Sequence, residues 1–182
     1  MEAAGQVFAV RGYPDATVDE IANEAGASRA TFYLHFKGKT DLVAALVEES
    51  IPFAVERYRL LDQLLVRGEP SLRGDLHQWL SDWLGVWRES ADSSHAILQA
   101  AMLEPEVEEL RLRNSEAFVD ALENYFAGLS EEDRSRTRDR LLILEIMSQR
   151  ILSLASTSRL PIDDKHVLTI LTDMWMQVLV GG

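Results

Sequence analysis

The chain has 182 residues, with 18 Lys and Arg against 30 Asp and Glu, a net charge of −12, and 47% hydrophobic residues. That composition is globular, too apolar for intrinsic disorder, and long enough for a sizeable core or for a small domain joined to a larger one. The absence of cysteine excludes a disulfide framework, a zinc ribbon, an iron–sulfur site and a thiol nucleophile, and fits a reducing cytoplasm. The stretch from Met1 to Val10 lacks the basic start and long apolar run of a secretory signal, and Glu145 interrupts the richest apolar stretch, Leu141 to Met147. The expectation is a cytoplasmic protein with no membrane span. The acidic balance argues on its face against nucleic acid, so the local distribution of charge has to decide that question.

Prolines stand at 14, 52, 70, 105 and 161, and between them the apolar residues recur with a period near 3.6 and almost no strict alternation. The fold class is therefore all-α. Helices are predicted over residues 2–11, 18–25, 29–36, 39–63 with a bend at Pro52, 72–90, 92–102, 106–127, 131–158 and 164–180. Short helices with tight turns fill the first part, and long amphipathic helices carrying all four Trp fill the remainder. This reads as a small N-terminal module on a larger helical body.

Thr17-Val18-Asp19-Glu20 is a capping box, so a helix begins near Val18, with Ile21 and Ala22 inward. It stops at Ala25 and Gly26, where Gly takes the left-handed conformation of a sharp turn, and Ser28 caps the next helix. Two short helices joined in this way have the form of a helix-turn-helix, whose second helix enters the major groove. On that second helix Phe32 and Phe36 point to a core with Phe8, Ile21 and Leu42. The opposite side offers Ala30, Thr31, Leu34 and Lys37, flanked by Arg29, Tyr33 and His35. These are hydrogen-bonding groups for base edges and phosphates, and apolar groups for thymine methyls. From Gly26 to Thr40 there are three basic residues, Arg29, Lys37 and Lys39, and no acid, so the local field reverses the global one. Lys39 opens the next helix, whose amide end also favours a phosphate.

The residues Ala3, Ala4, Val7, Phe8, Gly12, Tyr13, then Thr17, Val18, Ile21, Ala22, Ala25, Gly26, then Ser28, Thr31, Phe32, Tyr33, His35, Phe36, Lys39 and Leu42 resemble the signature of the TetR family of bacterial transcription regulators. The resemblance covers about the first quarter of the chain. It implies nine or ten helices, a homodimer, a palindromic operator in double-stranded DNA, and a C-terminal body that binds a small effector and releases DNA. It also implies that Thr17, Ser28, Arg29, Thr31, Tyr33, His35 and Lys39 stand where family members commonly touch DNA. The expected domains are a DNA-binding helix-turn-helix over 1–46 and an effector-binding and dimerisation domain over 47–182. Three departures are visible. The basic arm and Ile-Leu pair that usually precede the first helix are absent from this sequence, Gly38 replaces a better cap that Asp41 partly offsets, and Leu34 stands where polar or aromatic residues are frequent.

Other motifs point elsewhere only weakly. Gly38-Lys39-Thr40 spells the end of a P-loop, but Tyr33 stands where that loop needs Gly and no strand precedes it. Asp92 with His95 and Asp163 with His166 have the i, i+3 spacing of metal-bundle ligands, yet each Asp stands near a predicted helix start and reads as a cap. No catalytic constellation, metal site or cofactor motif is expected, so the chain is not read as an enzyme. Glu104, Glu106, Glu108 and Glu109 open a helix and read as a solvated face turned from DNA.

In the body, Trp79, Trp83 and Trp87 form an i, i+4, i+8 stripe that serves equally as plain core or as one wall of a cavity, since three indoles pack with gaps and their N–H groups need partners. Tyr58, His95, Gln99, Met102, Asn114 and Phe118 are candidate further walls of an effector pocket for a flat, largely apolar ligand. The last two helices carry more apolar surface than one monomer buries, which nominates Leu144, Met147, Ile151, Leu168, Leu171, Trp175 and Val178 for a four-helix dimer interface. Dimerisation would set two reading helices about one DNA turn, ~34 Å, apart. The expected function is a ligand-responsive repressor that binds a palindromic operator as a homodimer. The rival from another class is a helical adaptor that kept the helix-turn-helix shape without DNA binding.

Overall fold

The computed structural model describes residues 1–68 and 71–180, and within them it is all-α. Ten helices follow in order: α1 (Glu2–Asp15), α2 (Val18–Glu24), α3 (Arg29–His35), α4 (Lys39–Arg67), α5 (Leu72–Glu89), α6 (Ala91–Leu103), α7 (Pro105–Asp120), α8 (Glu123–Ala127), α9 (Glu131–Ser156) and α10 (Asp164–Val180). The all-α class with an N-terminal helix-turn-helix is as the periodicity and caps predict. Pro70, one of the prolines between the predicted helices, lies outside the described residues. Pro52 lies inside α4, which continues as one helix to Arg67. No described helix is long and apolar enough to cross a membrane.

One expected helix is two. Residues 106–127 break at Ala121 and Leu122, and α8 restarts beyond them. The cause lies on α4: Asp62, 3% exposed, accepts from the amides of Asn124 (3.1 Å) and Tyr125 (2.8 Å) and from Asn124 Nδ2 (2.7 Å). A carboxylate from a distant helix thus satisfies amide groups at the start of α8, the service that a local Ser or Asp usually performs.

The chain forms two compact units, one of Met1–Ile51 with Ser90–Arg113 and the other of Pro52–Glu89 with the residues from Asn114 onward. This differs from the expected division at 46/47, because α6 leaves the body and joins the N-terminal helices. Its Ala96, Ala100 and Ala101 enter the same core as Phe8, Tyr13, Ile21, Phe32, Leu42 and Val43. Such small side chains let two helices approach closely. Phe36 is partly buried against this core. At the start of α1 the packing is more open, and an apolar cleft of about 150 Å³ runs between Met1, Ala4, Ala22, Phe32 and Phe36.

The second unit is built on α5, α9 and α10, which pack on one another. Leu76, Leu80, Leu84, Leu141, Leu171 and Trp175 are among its fully buried side chains. Here the expected dimer interface needs correction. Leu144, Leu168, Leu171 and Trp175 are buried within the chain and have no surface to offer a partner. The stripe chosen from periodicity is the inward one. The apolar side chains left in solvent on α9 and α10 are Ile143 (61% exposed), Ile146, Met147, Ile170 (51%) and Val180 (54%), so only Met147 of the nominated set is openly exposed, with Ile151 and Val178 half-buried.

Candidate functional site

The N-terminal site is built by local chemistry. Thr17 Oγ1 accepts from the Glu20 amide (3.2 Å) while Glu20 Oε2 accepts from the Thr17 amide (3.0 Å), the reciprocal capping box that starts α2. Arg11 adds an ion pair to Glu20 at 2.6 Å, and this guanidinium, with the Thr17 bonds after it, holds the Glu20 carboxyl below its usual range. Gly26 at φ +64° makes the turn, with the Ala27 amide donating back to Ala22 O at 2.9 Å. Ser28 Oγ accepts from the Thr31 amide at 3.0 Å and so starts α3. Asp41 accepts from the Lys37 amide at 2.9 Å, serving the start of α4 where Gly38 has no side chain to do so.

The consequence is one solvent face. Phe32 is the buried member of α3, whereas Arg29, Ala30, Thr31, Tyr33, Leu34 and His35 are exposed, as are Thr17, Ser28 and Lys37 beside it. Leu34 is 81% exposed, which no packing role explains. Arg29 lies 5.6 Å from the Tyr33 ring centroid and pairs with Asp19 at 3.1 Å, so its guanidinium is steadied at the surface. The Tyr33 hydroxyl and then the Asp19 charge raise the Arg29 pKa further. Lys39 departs from its expected placement. Its Nζ donates to the carbonyls of Tyr13 (2.8 Å), Pro14 (2.7 Å) and Ala16 (3.3 Å) and sits 4.7 Å from the Tyr13 ring centroid. All three ammonium protons are thereby committed to the end of α1, where carbonyls lack helical partners.

Tyr13 is the centre that sequence reading missed as a polar residue. Gly12 leaves the helical conformation inside α1 at φ 75°, and the next amide, that of Tyr13, donates to Gln99 Oε1 of α6 at 2.7 Å. The Tyr13 hydroxyl donates to Glu104 (2.9 Å) and lies 3.1 Å from Thr40 Oγ1. Burial first, and then the bond to Glu104 and its charge, push the Tyr13 pKa up to about 12 against an opposing contribution from Thr40. Gln99, nominated for an effector pocket, is therefore committed to the first unit. His95 and Met102 belong to that unit too, His95 half-buried and Met102 exposed at 75%.

The remaining pocket candidates, Tyr58, Trp79, Trp83, Trp87, Asn114 and Phe118, lie in the second unit. Four of them form one aromatic cluster. Tyr58 stacks on Phe118 (5.5 Å, 14°) and meets Trp79 edge-on (5.1 Å, 84°), while Trp79 meets Trp83 edge-on at 6.1 Å. Asn114 is buried and Trp87 half-buried. Beneath the cluster lies Glu145, only 2% exposed, which accepts from the Tyr58 hydroxyl at 2.5 Å and from Gln149. Burial, followed by the Glu145 charge, pushes the Tyr58 pKa well up. In the sequence Glu145 reads only as an interruption of an apolar run, and its long-range partner Tyr58 leaves no local signal. Asp163 accepts from the His166 amide (3.1 Å) and ring (2.5 Å) at the start of α10, the geometry of a cap.

Residues 1–46 match the family model described as bacterial regulatory proteins, tetR family. The N-terminal region is similar to the uncharacterized HTH-type transcriptional regulator TtgW of Pseudomonas putida, 45% identical over 47 residues that cover 26% of this chain and 35% of that protein. The similarity thus spans about a third of that relative's length. In fold, the chain is similar to a TetR-like transcriptional regulator from Rhodococcus sp. RHA1, with a TM-score of 0.62 at 22% identity over 100% of this chain and 93% of the other. It is similar in fold also to the transcriptional regulator FadR from Bacillus subtilis in complex with stearoyl-CoA, with a TM-score of 0.62 at 17% identity over 100% and 96% of the two chains. The capped, Gly-turned helix pair of residues 1–46 thus lies in the segment that matches the tetR family model, and the described residues share the fold of solved TetR-like regulators.

Proposed function

We propose that the chain is a DNA-binding transcriptional repressor that reads a palindromic operator as a homodimer and is released by a small, largely apolar effector. The observation that carries the reading is the face of α3, where Arg29, Thr31, Tyr33, Leu34 and His35 stand together in solvent. Arg and hydroxyl groups suit phosphates and base edges, and an exposed Leu suits a thymine methyl. Lys37 adds an exposed charge, while Lys39 holds the end of α1 and orders the head rather than supplying a first phosphate contact. The apolar side chains exposed on α9 and α10 support a homodimer through Ile143, Ile146, Met147 and Ile170, in place of the inward residues that periodicity nominates. The aromatic cluster around Tyr58 and Trp83 supports an effector with an apolar portion, and the FadR structure holds stearoyl-CoA, whose stearoyl chain is apolar.

Release requires that the effector bind one conformation more tightly than the other, and the shift it produces equals that difference in affinity. The test is selection of bound sequences from a random duplex library at moderate salt, followed by titration with Tyr33→Ala. An enriched palindrome is expected, bound less tightly as salt rises because several phosphates are contacted. Tyr33→Ala should weaken binding about tenfold or more with thermal stability unchanged, since its ring is half in solvent. No enrichment would sink the repressor reading in favour of a helical adaptor, and equal loss of binding and stability would make Tyr33 a packing residue.

A further inference from the structure

This inference rests on the effector reading and concerns the charge that its ligand carries. Among the described residues, α4 and α5 leave two buried donors, Arg57 Nε and Trp83 Nε1, without a hydrogen-bond partner. Buried N–H groups are nearly always paired, and each exception calls for a reason. The equivalent groups around them are paired. Trp79 Nε1 donates to Arg57 O at 2.9 Å, Arg57 Nη2 donates to Trp79 O at 3.0 Å, and Trp175 Nε1 donates to Ser148 Oγ at 3.0 Å. The two orphans also lie together, for the Arg57 guanidinium carbon is 4.9 Å from the Trp83 ring centroid. Among the described residues Arg57 makes no ion pair: burial lowers its pKa without removing the charge, and the Asp82 carboxylate supports that charge only through space. Phe53 meets Trp83 edge-on at 6.2 Å and is 52% exposed, so this corner of the aromatic cluster reaches the surface.

We propose that Arg57 and Trp83 form a head-group seat for an anionic amphiphile, a carboxylate on an apolar chain, whose oxygens accept from Arg57 Nε and Trp83 Nε1 while the chain lies against Phe53 and Trp83. A carboxylate offers two oxygens that only accept, which matches two donors and one unpaired cation. An alcohol of the same chain length leaves the cation unpaired, and an ammonium ligand meets repulsion from Arg57. The ring faces around the seat hold an alkyl chain without polar demands.

The test is calorimetric titration of the whole chain with dodecanoate and with dodecan-1-ol, each below its aggregation limit. Dodecanoate is expected to bind about ten- to a hundredfold more tightly than the alcohol, the range for hydrogen bonds to a charged group. Arg57→Met keeps the apolar stem and should abolish that preference while leaving the alcohol unaffected. Trp83→Phe should reduce the preference, and Arg57→Lys, which retains the charge without the Nε donor, gives an intermediate result even if Arg57→Met fails to fold. Equal affinity for the two ligands, or a preference that survives in both Arg57 variants, overturns the seat. Binding of neither ligand overturns it as well, and the effector reading is then judged separately by release of the selected operator with uncharged apolar compounds.

Discussion

The clamp between Gln99 and Tyr13 gives the sharpest stability prediction. Tyr13 is 1% exposed, its amide donates to Gln99 Oε1 at 2.7 Å, and the helical course of α1 is interrupted just before it at Gly12. Gln99→Leu keeps the size of the side chain and removes the only oxygen it offers. The amide is then left buried without an acceptor, which costs about 1–3 kcal/mol, whereas a change at an uninvolved surface position costs within about 0.5 kcal/mol. For a chain of this length a loss of about 2 kcal/mol lowers Tm by ~4–8 °C. Urea unfolding followed by circular dichroism measures the difference, with thermal melts as a second reading. Gln99→Glu retains an oxygen at the same reach and should recover most of the loss. If Gln99→Leu unfolds within about 0.5 kcal/mol of the parent, the bond is not a structural one and this contact does not fasten α6 to the N-terminal helices.

The other predictions follow from the same inventory. Asp62→Ala removes the acceptor of three donors at the start of α8 and should cost about 1–3 kcal/mol in urea unfolding, with an unchanged midpoint counting against the cap. Tyr13 titrates near 12 in the fold against an ordinary 10, so the fold favours its neutral form; that stabilisation is complete below pH 10 and is lost as pH rises from 10 through about 12. Unfolding of Tyr13→Phe across this window should therefore depend less steeply on pH than that of the parent, and equal slopes would refute the assignment. Ile143→Arg combined with Met147→Arg alters two exposed side chains of α9 and should halve the mass seen by light scattering without loss of helix content; an unchanged mass would move the interface elsewhere.

The elements legible in the sequence are those fixed within a few residues. Thr17 with Glu20, Ser28 with Thr31, and Gly26 at its positive φ are all contacts within one turn, so residue identity and spacing suffice to place α2, α3 and their sharp connection. The exposed face of α3 follows from the same local register once Phe32 is inside. Periodicity also found which body helices are amphipathic, but an apolar stripe names a side without naming its partner. For that reason the stripe holding Leu144, Leu171 and Trp175 could be assigned to a dimer when it is the monomer's own core. The contacts of Gln99 with Tyr13, Asp62 with Tyr125 and Glu145 with Tyr58 join residues 86, 63 and 87 positions apart. Each is a buried polar group whose partner is selected by packing of separate helices, and no local pattern encodes that pairing. Short-range caps and turns are enough to specify the helix-turn-helix, whereas the packing of distant helices settles what α6 fastens to, where the free apolar surface lies, and which donors of the aromatic body remain unpaired.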